Sequence, residues 1–195
     1  MPTLINPEKA SLWVMWCWWV LAGVWLLLMF WRKSVKKRET LEERIKHIAP
    51  MVIGFWLLFG RAWSVAGLDL RLIPSTQGVL WNGVALTALG VAISIWARLA
   101  LGSNWSGVVT LKEDHELIRK GPYRWVRHPI YTGILLSFAG TALIEGRLRG
   151  WLGFAMVWAT FYFKARREEN FLRQEFGEGF EEHTRKTGMF LPKLT

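Results

Sequence analysis

The long apolar run at residues 12–31, LWVMWCWWVLAGVWLLLMFW, constrains the fold more than any other feature of the chain. It contains no charged residue and no proline. A helix of about 20 apolar residues crosses the hydrocarbon core of a bilayer, and a lone span must be helical because its backbone polar groups have to be satisfied within the segment. The run continues directly into Arg32 and Lys33 and not into a small-residue cleavage site, so we interpret it as a retained span and not as a secretory signal. The sequence therefore predicts an integral membrane protein.

Four further apolar segments predict an all-α integral membrane protein with about five transmembrane helices. The segments are residues 50–67, interrupted by Arg61, 79–101, with Arg98 near the end, 130–144 and 151–163. The last two are short for full spans, and the polar link 145–150 predicts a helical hairpin whose ends reach the membrane interface. We expect a single membrane domain over residues 1–195, with three spans in 1–101 and the hairpin and a tail helix in 102–195.

The distribution of basic residues predicts the orientation of the chain. Lys and Arg total 25 against 15 Asp and Glu, which gives a net charge of +10. Segments 32–46, 102–128 and 164–195 lie on one side of five alternating spans and hold 19 of the 25. Because cytoplasmic loops are enriched in Lys and Arg, we expect the N-terminus outside and the C-terminus in the cytoplasm. Arg147 and Arg149, in the hairpin link, go against this rule.

The same pattern excludes several kinds of partner. The basic residues flank apolar spans, so anionic lipid headgroups explain them better than nucleic acid, which is not expected to bind. Cys17 is the only cysteine and lies in the first span, which excludes an internal disulfide and a cysteine-based metal cluster. No group of His, Cys and Asp residues has metal-ligand spacing, so no metal site is expected.

The densest cluster of polar and aromatic residues is GPYRWVRHPIYTG, residues 121–133. Pro129 suits the first turn of a helix, so residues 128–131 are predicted at the N-terminus of span four. That helix start offers free N–H groups and a partial positive charge, and Arg127 adds a full one, which together favour a carboxylate or phosphate. The walls of this site would be three aromatic residues, Tyr123, Trp125 and Tyr131. The residues alone favour a plainer alternative, a capped span with a snorkelling Arg and interfacial aromatic side chains.

A second polar cluster follows span five. Lys164 and Glu168 are one turn apart and share a helix face, with Glu169 next to them. They form either a solvated ion pair, which stabilises little, or a site in which Glu168 binds the hydroxyl groups or amine of a ligand. Gly177 and Gly179 are predicted to end this helix.

The order of the motifs resembles that of the isoprenylcysteine carboxyl methyltransferase family and its phospholipid methyltransferase relatives. The resemblance covers residues 98–192, about half of the chain. Its elements, in order, are Leu101-Gly102, Trp105-Ser106, residues 115–118 (HELI), 121–123 (GPY) and 127–133 (RHPIYTG), then Glu168-Glu169, Leu172, Phe176-Gly177 and Leu191-Pro192. The combination in this order is fairly specific for the superfamily.

The resemblance implies S-adenosylmethionine as the cofactor, bound at the cytoplasmic face in a pocket formed by the loop after span three and a C-terminal helix. The positions that match the family's cofactor contacts are His115, Glu116, Leu117, Ile118, Tyr123, His128, Pro129, Ile130, Tyr131 and Glu168. A basic residue one turn before Glu168 faces the substrate in the family, and here it is Lys164, where Arg is usual. An Arg in the preceding span also faces the substrate, and Arg98 is its counterpart, although a charge there also suits snorkelling. With Arg127, these are the candidate catalytic cations. Met189 stands where Arg is common.

The chemistry of methyl transfer agrees with these residues. Transfer from a sulfonium is a direct displacement that needs in-line placement and exclusion of water. A carboxylate acceptor is already ionised and needs only a cationic clamp, whereas an amine needs a proton acceptor such as Glu168. The absence of a Gly-x-Gly-x-x-Gly loop excludes a soluble Rossmann-type methyltransferase. We expect an S-adenosylmethionine-dependent methyltransferase whose lipophilic substrate enters from the bilayer, with carboxyl O-methylation of a prenylcysteine-like acceptor as the first choice.

Three alternatives stay open. One is a phospholipid amine N-methyltransferase, which uses the same chemistry on another acceptor. Another is a membrane NADPH-dependent reductase of related helical arrangement. The third is a non-catalytic membrane scaffold in which the motifs only cap helices. The first span contains no polar group suited to catalysis, so we expect it to be a wall of the lipid groove or a packing helix.

Overall fold

The computed structural model describes residues 5–29, 41–60, 67–102 and 117–193. Within these ranges every regular element is helical, and β-pairing is limited to two single bridges, Arg71 with Arg147 and Val126 with Gly188. The elements are α1 (Pro7–Leu28), α2 (Leu41–Phe59), α3 (Gln77–Leu101), a 3₁₀ turn (Gly121–Arg124), α4 (Pro129–Glu145), α5 (Leu148–Phe176) and α6 (Glu178–Lys186). The prediction of an all-α fold is confirmed.

Two helices begin earlier than the apolar segments that predict them. α1 starts at Pro7 because Asn6 caps it, its side chain accepting a hydrogen bond from the Lys9 N–H (2.8 Å). α2 starts well before Pro50 and passes through it. Some residues of the predicted spans lie outside the described ranges, namely residues 30, 31 and 61–66.

α5 unites two segments that the sequence treats separately. The predicted fifth span, residues 151–163, and the tail helix after it form one continuous helix. Gly177 ends it with a φ of +49°, a left-handed conformation that glycine adopts without strain. Gly179 lies inside α6, so the prediction that it ends the tail helix is wrong. As a result Lys164 and Glu168 project from the same rigid element as the span.

Two of the described helices have the length that a bilayer requires, and several present apolar surface. α1 and α3 are long and apolar enough to cross a membrane, and α4 and residues Ile48–Phe59 of α2 are shorter apolar helices. Large apolar side chains are exposed along them, among them Trp16, Trp19, Leu27, Trp56 and Leu89. Exposed apolar surface of this extent suits contact with lipid tails better than contact with water.

α3 and α4 run antiparallel and pack through small residues. A Cβ atom on Gly90 would lie 2.4 Å from the Gly133 carbonyl oxygen, and one on Gly133 would lie 2.3 Å from Ser94 Oγ. The Ser137 hydroxyl donates to the Thr87 carbonyl oxygen (3.1 Å) across the same interface. Close backbone approach with hydroxyl hydrogen bonds is typical of helix packing in membranes. It fixes the start of α4 against the end of α3.

α1 and α3 run parallel and are tied at both ends. The Gln77 side chain accepts from the Ile5 N–H (2.9 Å) at their starts, and Arg98 Nη2 donates to the Leu28 carbonyl oxygen (2.7 Å) at their ends. α2 packs on α5, and α4 lies between the two pairs. The helix bundle therefore has two distinct ends.

We name the two ends by what they contain. The site end holds the ends of α1 and α3, the start of α4 and residues 164–190. The hairpin end holds the turn between α4 and α5 together with residues 67–73. Backbone hydrogen bonds join the two parts of the hairpin end: Leu72 N–H to the Gly146 carbonyl (2.7 Å), Leu148 N–H to the Leu70 carbonyl (2.9 Å) and Arg149 N–H to the Leu68 carbonyl (3.0 Å).

Candidate functional site

The start of α4 lies where the sequence predicts it. Pro129 is the first helical residue and His128 precedes it as the N-cap. The C-terminal strap, which we define as residues 187–190, crosses this helix start. The hydrogen bonds between them include Arg127 N–H to the Gly188 carbonyl (2.9 Å), His128 N–H to the Met189 carbonyl (3.1 Å) and the Thr132 hydroxyl to the Phe190 carbonyl (2.8 Å). The strap therefore holds the helix start by its backbone.

Five side chains form a continuous polar chain beside the helix start. The Tyr131 hydroxyl donates to Glu168 Oε1 (2.6 Å), and Glu168 Oε2 lies 3.5 Å from His128 Nδ1. His128 Nε2 lies 3.4 Å from Glu169 Oε1, a charge contact without hydrogen-bond alignment. Arg127 Nε donates to that same oxygen (2.7 Å). The anionic groups that lie at this helix start are thus two carboxylates of the chain itself.

The members of the polar chain tune one another. Burial would lower the pKa of His128, but the two carboxylates outweigh it and raise this pKa above its ordinary value of 6.5. Burial would raise the pKa of Glu168, but His128, Lys164 and Tyr131 hold it below its ordinary value. Burial likewise opposes ionisation of Glu169, yet contacts with His128 and Arg127 lower its pKa to about 2. Both carboxylates are therefore ionised at neutral pH, and the charged form of His128 is favoured.

An apolar cluster adjoins the polar chain. Ala97, Tyr123 and Ile130 form its buried centre, and Ile118 and Tyr131 pack against it. Burial raises the pKa of Tyr123 above its ordinary value, so its hydroxyl stays protonated. Tyr131 belongs to both groups, because its ring packs in the cluster while its hydroxyl binds Glu168. The site thus joins an apolar face to a charged one at a single residue.

The predicted catalytic cations lie in three different settings. The Lys164 ammonium is 5.4 Å from the centre of the Tyr131 ring, and its charge helps to keep Glu168 ionised. Arg127 is bound to Glu169 and donates to the Thr187 carbonyl as well, with 11% of its side chain exposed. Of these two, Lys164 is the one that lies over the aromatic wall of the site.

Arg98 is completely buried and joins two helix ends. Its guanidinium donates to the carbonyl oxygens of Leu28 (2.7 Å) and Gly102 (2.8 Å). A positive charge is favourable there because the last carbonyl groups of a helix carry partial negative charge. These contacts give Arg98 a structural role at the ends of α1 and α3. Its predicted contact with a substrate stays a prediction.

Most of the predicted cofactor contacts lie together. Those that meet at the site end are Ile118, Tyr123, His128, Pro129, Ile130, Tyr131 and Glu168, and Leu117 directly precedes Ile118. Other predicted residues lie outside the described ranges, namely His115 and Glu116 among the contacts and Trp105 and Ser106 among the motifs.

Two participants, Phe161 and the strap, were not singled out by their sequence pattern, and a third, Glu169, was named in the second polar cluster without a role of its own. Phe161 of α5 stacks on Tyr131, with ring centres 4.7 Å apart. Glu169 follows Glu168 directly, and adjacent helix residues do not face the same way. Glu168 and Glu169 both reach the site because the His128 ring lies between their carboxylates. The strap uses backbone carbonyl groups, which leave no signature in the sequence, so the unusual Met189 contributes here through its main chain.

The arrangement defines the chemistry that the site can perform. Glu168 keeps 21% of its side chain exposed, against 5% for Glu169. An ionised, accessible carboxylate beside an aromatic ring and an apolar cluster suits a ligand with hydroxyl groups or positive charge and a flat apolar part. The Lys164 ammonium suits an anionic group nearby.

Comparison with known families gives a match over the second half of the chain. The family model for phospholipid methyltransferase matches residues 79–179. This region includes α3, α4, α5 and the polar residues described above, but not the strap.

Curated relatives match a similar region. The chain is 32% identical over 106 residues to the uncharacterized protein YpbQ of Bacillus subtilis (strain 168), covering 54% of this chain and 61% of that protein. It is 32% identical over 117 residues to a probable protein-S-isoprenylcysteine O-methyltransferase of Oryza sativa subsp. indica, covering 58% and 61%. It is 30% identical over 116 residues to the protein-S-isoprenylcysteine O-methyltransferase of Schizosaccharomyces pombe, covering 58% and 49%. The matches thus span about half to three fifths of these relatives.

A solved structure is also similar. It is that of the eukaryotic intramembrane Ras methyltransferase ICMT, with a TM-score of 0.49 and 24% sequence identity, covering 80% of this chain and 54% of that one.

Proposed function

Because the chain belongs to the phospholipid methyltransferase family, we propose that it is an S-adenosylmethionine-dependent methyltransferase acting on a lipophilic acceptor. The resemblance that the motif order indicates is confirmed by the family match and by the methyltransferase relatives. Our preferred acceptor is the carboxylate of a prenylcysteine-like amphiphile, the substrate class that the names of these relatives indicate.

The chain is an integral membrane protein, and we propose that it crosses the bilayer five times. α1 and α3 have the required length and composition. Successive helices α1 to α5 alternate in direction, which supports five spans. The basic segments then place the site end in the cytoplasm and the N-terminus outside. The pocket would lie between the loop that follows α3 and the tail of α5.

The observation that supports this function best is the setting of Glu168. One oxygen of its carboxylate is bound by the Tyr131 hydroxyl, the other lies near His128, and part of the group stays accessible. Two partners fix its orientation, so it can bind a ligand without first losing conformational freedom. The adjoining cluster of Ile118, Tyr123 and Ile130 offers apolar surface next to it.

The described residues fit S-adenosylmethionine chemically. Glu168 suits the hydroxyl pair of the ribose or a positive group, and Tyr123, Tyr131 and the apolar cluster suit the adenine. When bound, the cofactor supplies a methyl group on a positively charged sulfonium. The residues of the chain orient it, exclude water and keep the acceptor in line, with no covalent intermediate on the protein.

The charges of the site favour a carboxylate acceptor. We assign the acceptor contact to Lys164, because its ammonium lies over the Tyr131 ring next to Glu168, whereas Arg98 joins helix ends. A carboxylate is already ionised and needs no proton acceptor. An amine would have to lose a proton, and the lowered pKa of Glu168 makes this carboxylate a weak base.

A phospholipid amine is the second candidate acceptor. The description of the family itself favours it, since the matching model is that of phospholipid methyltransferases. The same pocket would serve both reactions, and the acceptor alone differs.

The cofactor can be tested by direct binding. Detergent-purified protein is titrated with S-adenosylhomocysteine and, separately, with NADPH, with thermal shift as the readout. We expect saturable binding of S-adenosylhomocysteine that is about 30-fold weaker in Glu168→Gln and unchanged in Glu175→Gln, where an exposed carboxylate on the same helix is replaced. Binding of NADPH alone would support a reductase in its place, and binding of neither would support a scaffold.

The acceptor is decided by transfer of a labelled methyl group. Prenylcysteine analogues and lipid extracts are compared as acceptors under the same conditions. Label in the carboxyl ester supports O-methylation. Label only in a phospholipid amine would overturn the preferred acceptor but keep the methyltransferase.

A further inference from the structure

The Trp18 ring occupies an unusual position in the middle of the bundle. It packs edge-on against Phe55 and Phe59 of α2 (5.6 and 5.8 Å between ring centres) and against Phe138 of α4 (4.9 Å). Its indole N–H donates to the Thr141 hydroxyl (3.1 Å). A tryptophan at a membrane interface directs its N–H toward water. Trp18 instead satisfies this group inside the protein, which fixes the plane of the ring.

We infer a groove between α1 and α2 that Trp18 closes at one end. α1 packs on α3 and α2 packs on α5, and the aromatic contacts described between α1 and α2 are those of Trp18. From Trp18 toward the site end, α4 would form the floor with the part-exposed Ile134 and Tyr131. Trp25 of α1 and Met51 of α2, which pack against the neighbouring apolar clusters, would form the walls.

The groove is continuous with the site. Tyr131 forms its last floor residue and also binds Glu168, and the Lys164 ammonium lies over the ring. An amphiphile with an anionic head at Lys164 would therefore direct its apolar tail along α4 toward Trp18. A membrane lipid whose headgroup does not reach Lys164 would gain nothing from the positive charge of its ammonium group.

We propose that the apolar tail of the acceptor lies in this groove and that Trp18, held by Thr141, stops it and so selects its length. The proposal rests on the proposed function, since it concerns the tail of the molecule that is methylated. Seven residues separate Tyr131 from Phe138, and a helix rises about 1.5 Å per residue, so the groove offers about 10 Å before the stop.

The proposal predicts how affinity and kcat/KM depend on the length of the tail. Each methylene that moves from water into an apolar groove improves binding by about fourfold. Affinity and kcat/KM should therefore rise steeply with length until the tail reaches Trp18, and then level off or fall. In Trp18→Ala the optimum should shift to longer tails. A tail two methylenes too long for the wild type should gain about fifteenfold in kcat/KM.

The experiment uses the full chain in detergent with cysteine thioether carboxylates of increasing tail length. The first readout is kcat/KM for labelled-methyl transfer in the wild type, Trp18→Ala and Trp19→Ala. Trp19 is the matched control, since it is adjacent in sequence and 66% exposed. The second readout needs no catalysis: a photoreactive group at the tip of the tail is crosslinked, and the modified peptide is identified by mass spectrometry.

Crosslinks to Trp18, Phe55 or Phe138, with an optimum that moves in Trp18→Ala and not in Trp19→Ala, support the proposal. Crosslinks to exposed outer residues such as Trp16, with the same length profile in all three proteins, overturn it and leave the methyltransferase intact. Crosslinks at Trp18 without methyl transfer to any acceptor would overturn the proposed function and retain the groove. If Trp18→Ala does not fold, Thr141→Val is used, because it releases the indole with little change in volume. In this variant we expect kcat/KM for tails beyond the wild-type optimum to rise about threefold.

Discussion

Two clusters, one at each end of the helix bundle, each contain two carboxylates and hold them with different partners. At the hairpin end, Arg149 pairs with Glu145 (2.5 Å) and Asp69 (3.2 Å), and Arg147 pairs with Asp69 (3.1 Å). Arg149 also donates to the carbonyl oxygen of Gly60 (2.6 Å). Two arginines thus balance two carboxylates.

At the site end only one arginine is present in the polar chain. Arg127 binds Glu169, while Glu168 is held by the hydroxyl of Tyr131 and the ring of His128. Bidentate-capable guanidinium groups fix a carboxylate firmly, whereas a hydroxyl and an imidazole leave it able to accept further bonds. The comparison supports the proposal that the site end binds a ligand, whereas the contacts at the hairpin end are structural.

The hairpin cluster also accounts for an exception in the charge pattern. Arg147 and Arg149 lie on the side where the rule for cytoplasmic loops expects few basic residues. Their pairing with Asp69 and Glu145 makes the cluster neutral in sum. The proposed orientation therefore needs no unpaired positive charge on the outer side from these two residues.

The largest effect on stability is expected at the hairpin end. Arg149→Ala leaves Glu145 without its buried partner and should lower the free energy of unfolding by about 3 kcal/mol. Arg147, with 38% of its side chain exposed, is the control, and Arg147→Ala should cost less than about 1 kcal/mol. Thermal unfolding in detergent measures both. Loss of S-adenosylhomocysteine binding in folded Arg149→Ala would contradict the assignment of this end to structure.

The next largest effect is expected on binding at the site end. Glu168→Gln removes the charge that we assign to the cofactor and should weaken S-adenosylhomocysteine by about 30-fold, as for a hydrogen bond to a charged group. Glu169→Gln should act mainly on unfolding, because Arg127 loses its ionic partner. Isothermal titration and melting curves on both variants separate the two. Equal effects of the two substitutions on affinity would contradict the division of roles.

A smaller effect is expected from the hydroxyl of Tyr131. Tyr131→Phe keeps the ring in the apolar cluster and removes one hydrogen bond to Glu168, so affinity should fall by about fivefold. Tyr162→Phe is the matched control, since this ring stacks on Trp158 away from the polar chain. Unchanged affinity in Tyr131→Phe would show that Glu168 needs no orienting partner.

The smallest effect is expected from pH at the site end, where His128 lies between two carboxylates. The raised pKa of His128 means that its contribution to stability is complete below 6.5 and is lost as the pH rises through the raised value. The contribution of Glu169 is present above 4.5 and is lost as the pH falls toward about 2. Melting temperature should therefore decrease as the pH rises above 6.5, and His128→Gln should flatten this dependence. The same dependence of melting temperature on pH in the wild type and in His128→Gln would contradict this prediction.

The sequence predicts those parts of the site that depend on local rules. Pro129 marks a helix start wherever that helix packs, and spacing alone places Lys164 and Glu168 on one face. The pairing of Arg127 with Glu169 depends on how α5 docks on α4, which no local pattern contains. The same holds for Arg98, whose partner Leu28 is distant in sequence.

In the fold, too, some features can be predicted from the local sequence and others depend on how the helices pack. Apolar runs and their number are visible in the sequence, and they predict the helices. The exact ends of the helices are not visible in the sequence. Caps such as Asn6 and the continuation of α5 beyond residue 163 depend on polar residues, which a hydropathy pattern does not include. The close contact at Gly90 and Gly133 likewise requires two glycines from different helices to meet.

The strap has a consequence for the order in which the proposed site is completed. The proposed spans precede residue 164, so they can be inserted while the tail is still being synthesised. The start of α4 acquires its hydrogen bonds to Gly188, Met189 and Phe190 only after these residues have left the ribosome. The proposed site is therefore completed after membrane insertion and not with it. A chain that stalls before Thr187 would be inserted in the membrane but would lack a finished site.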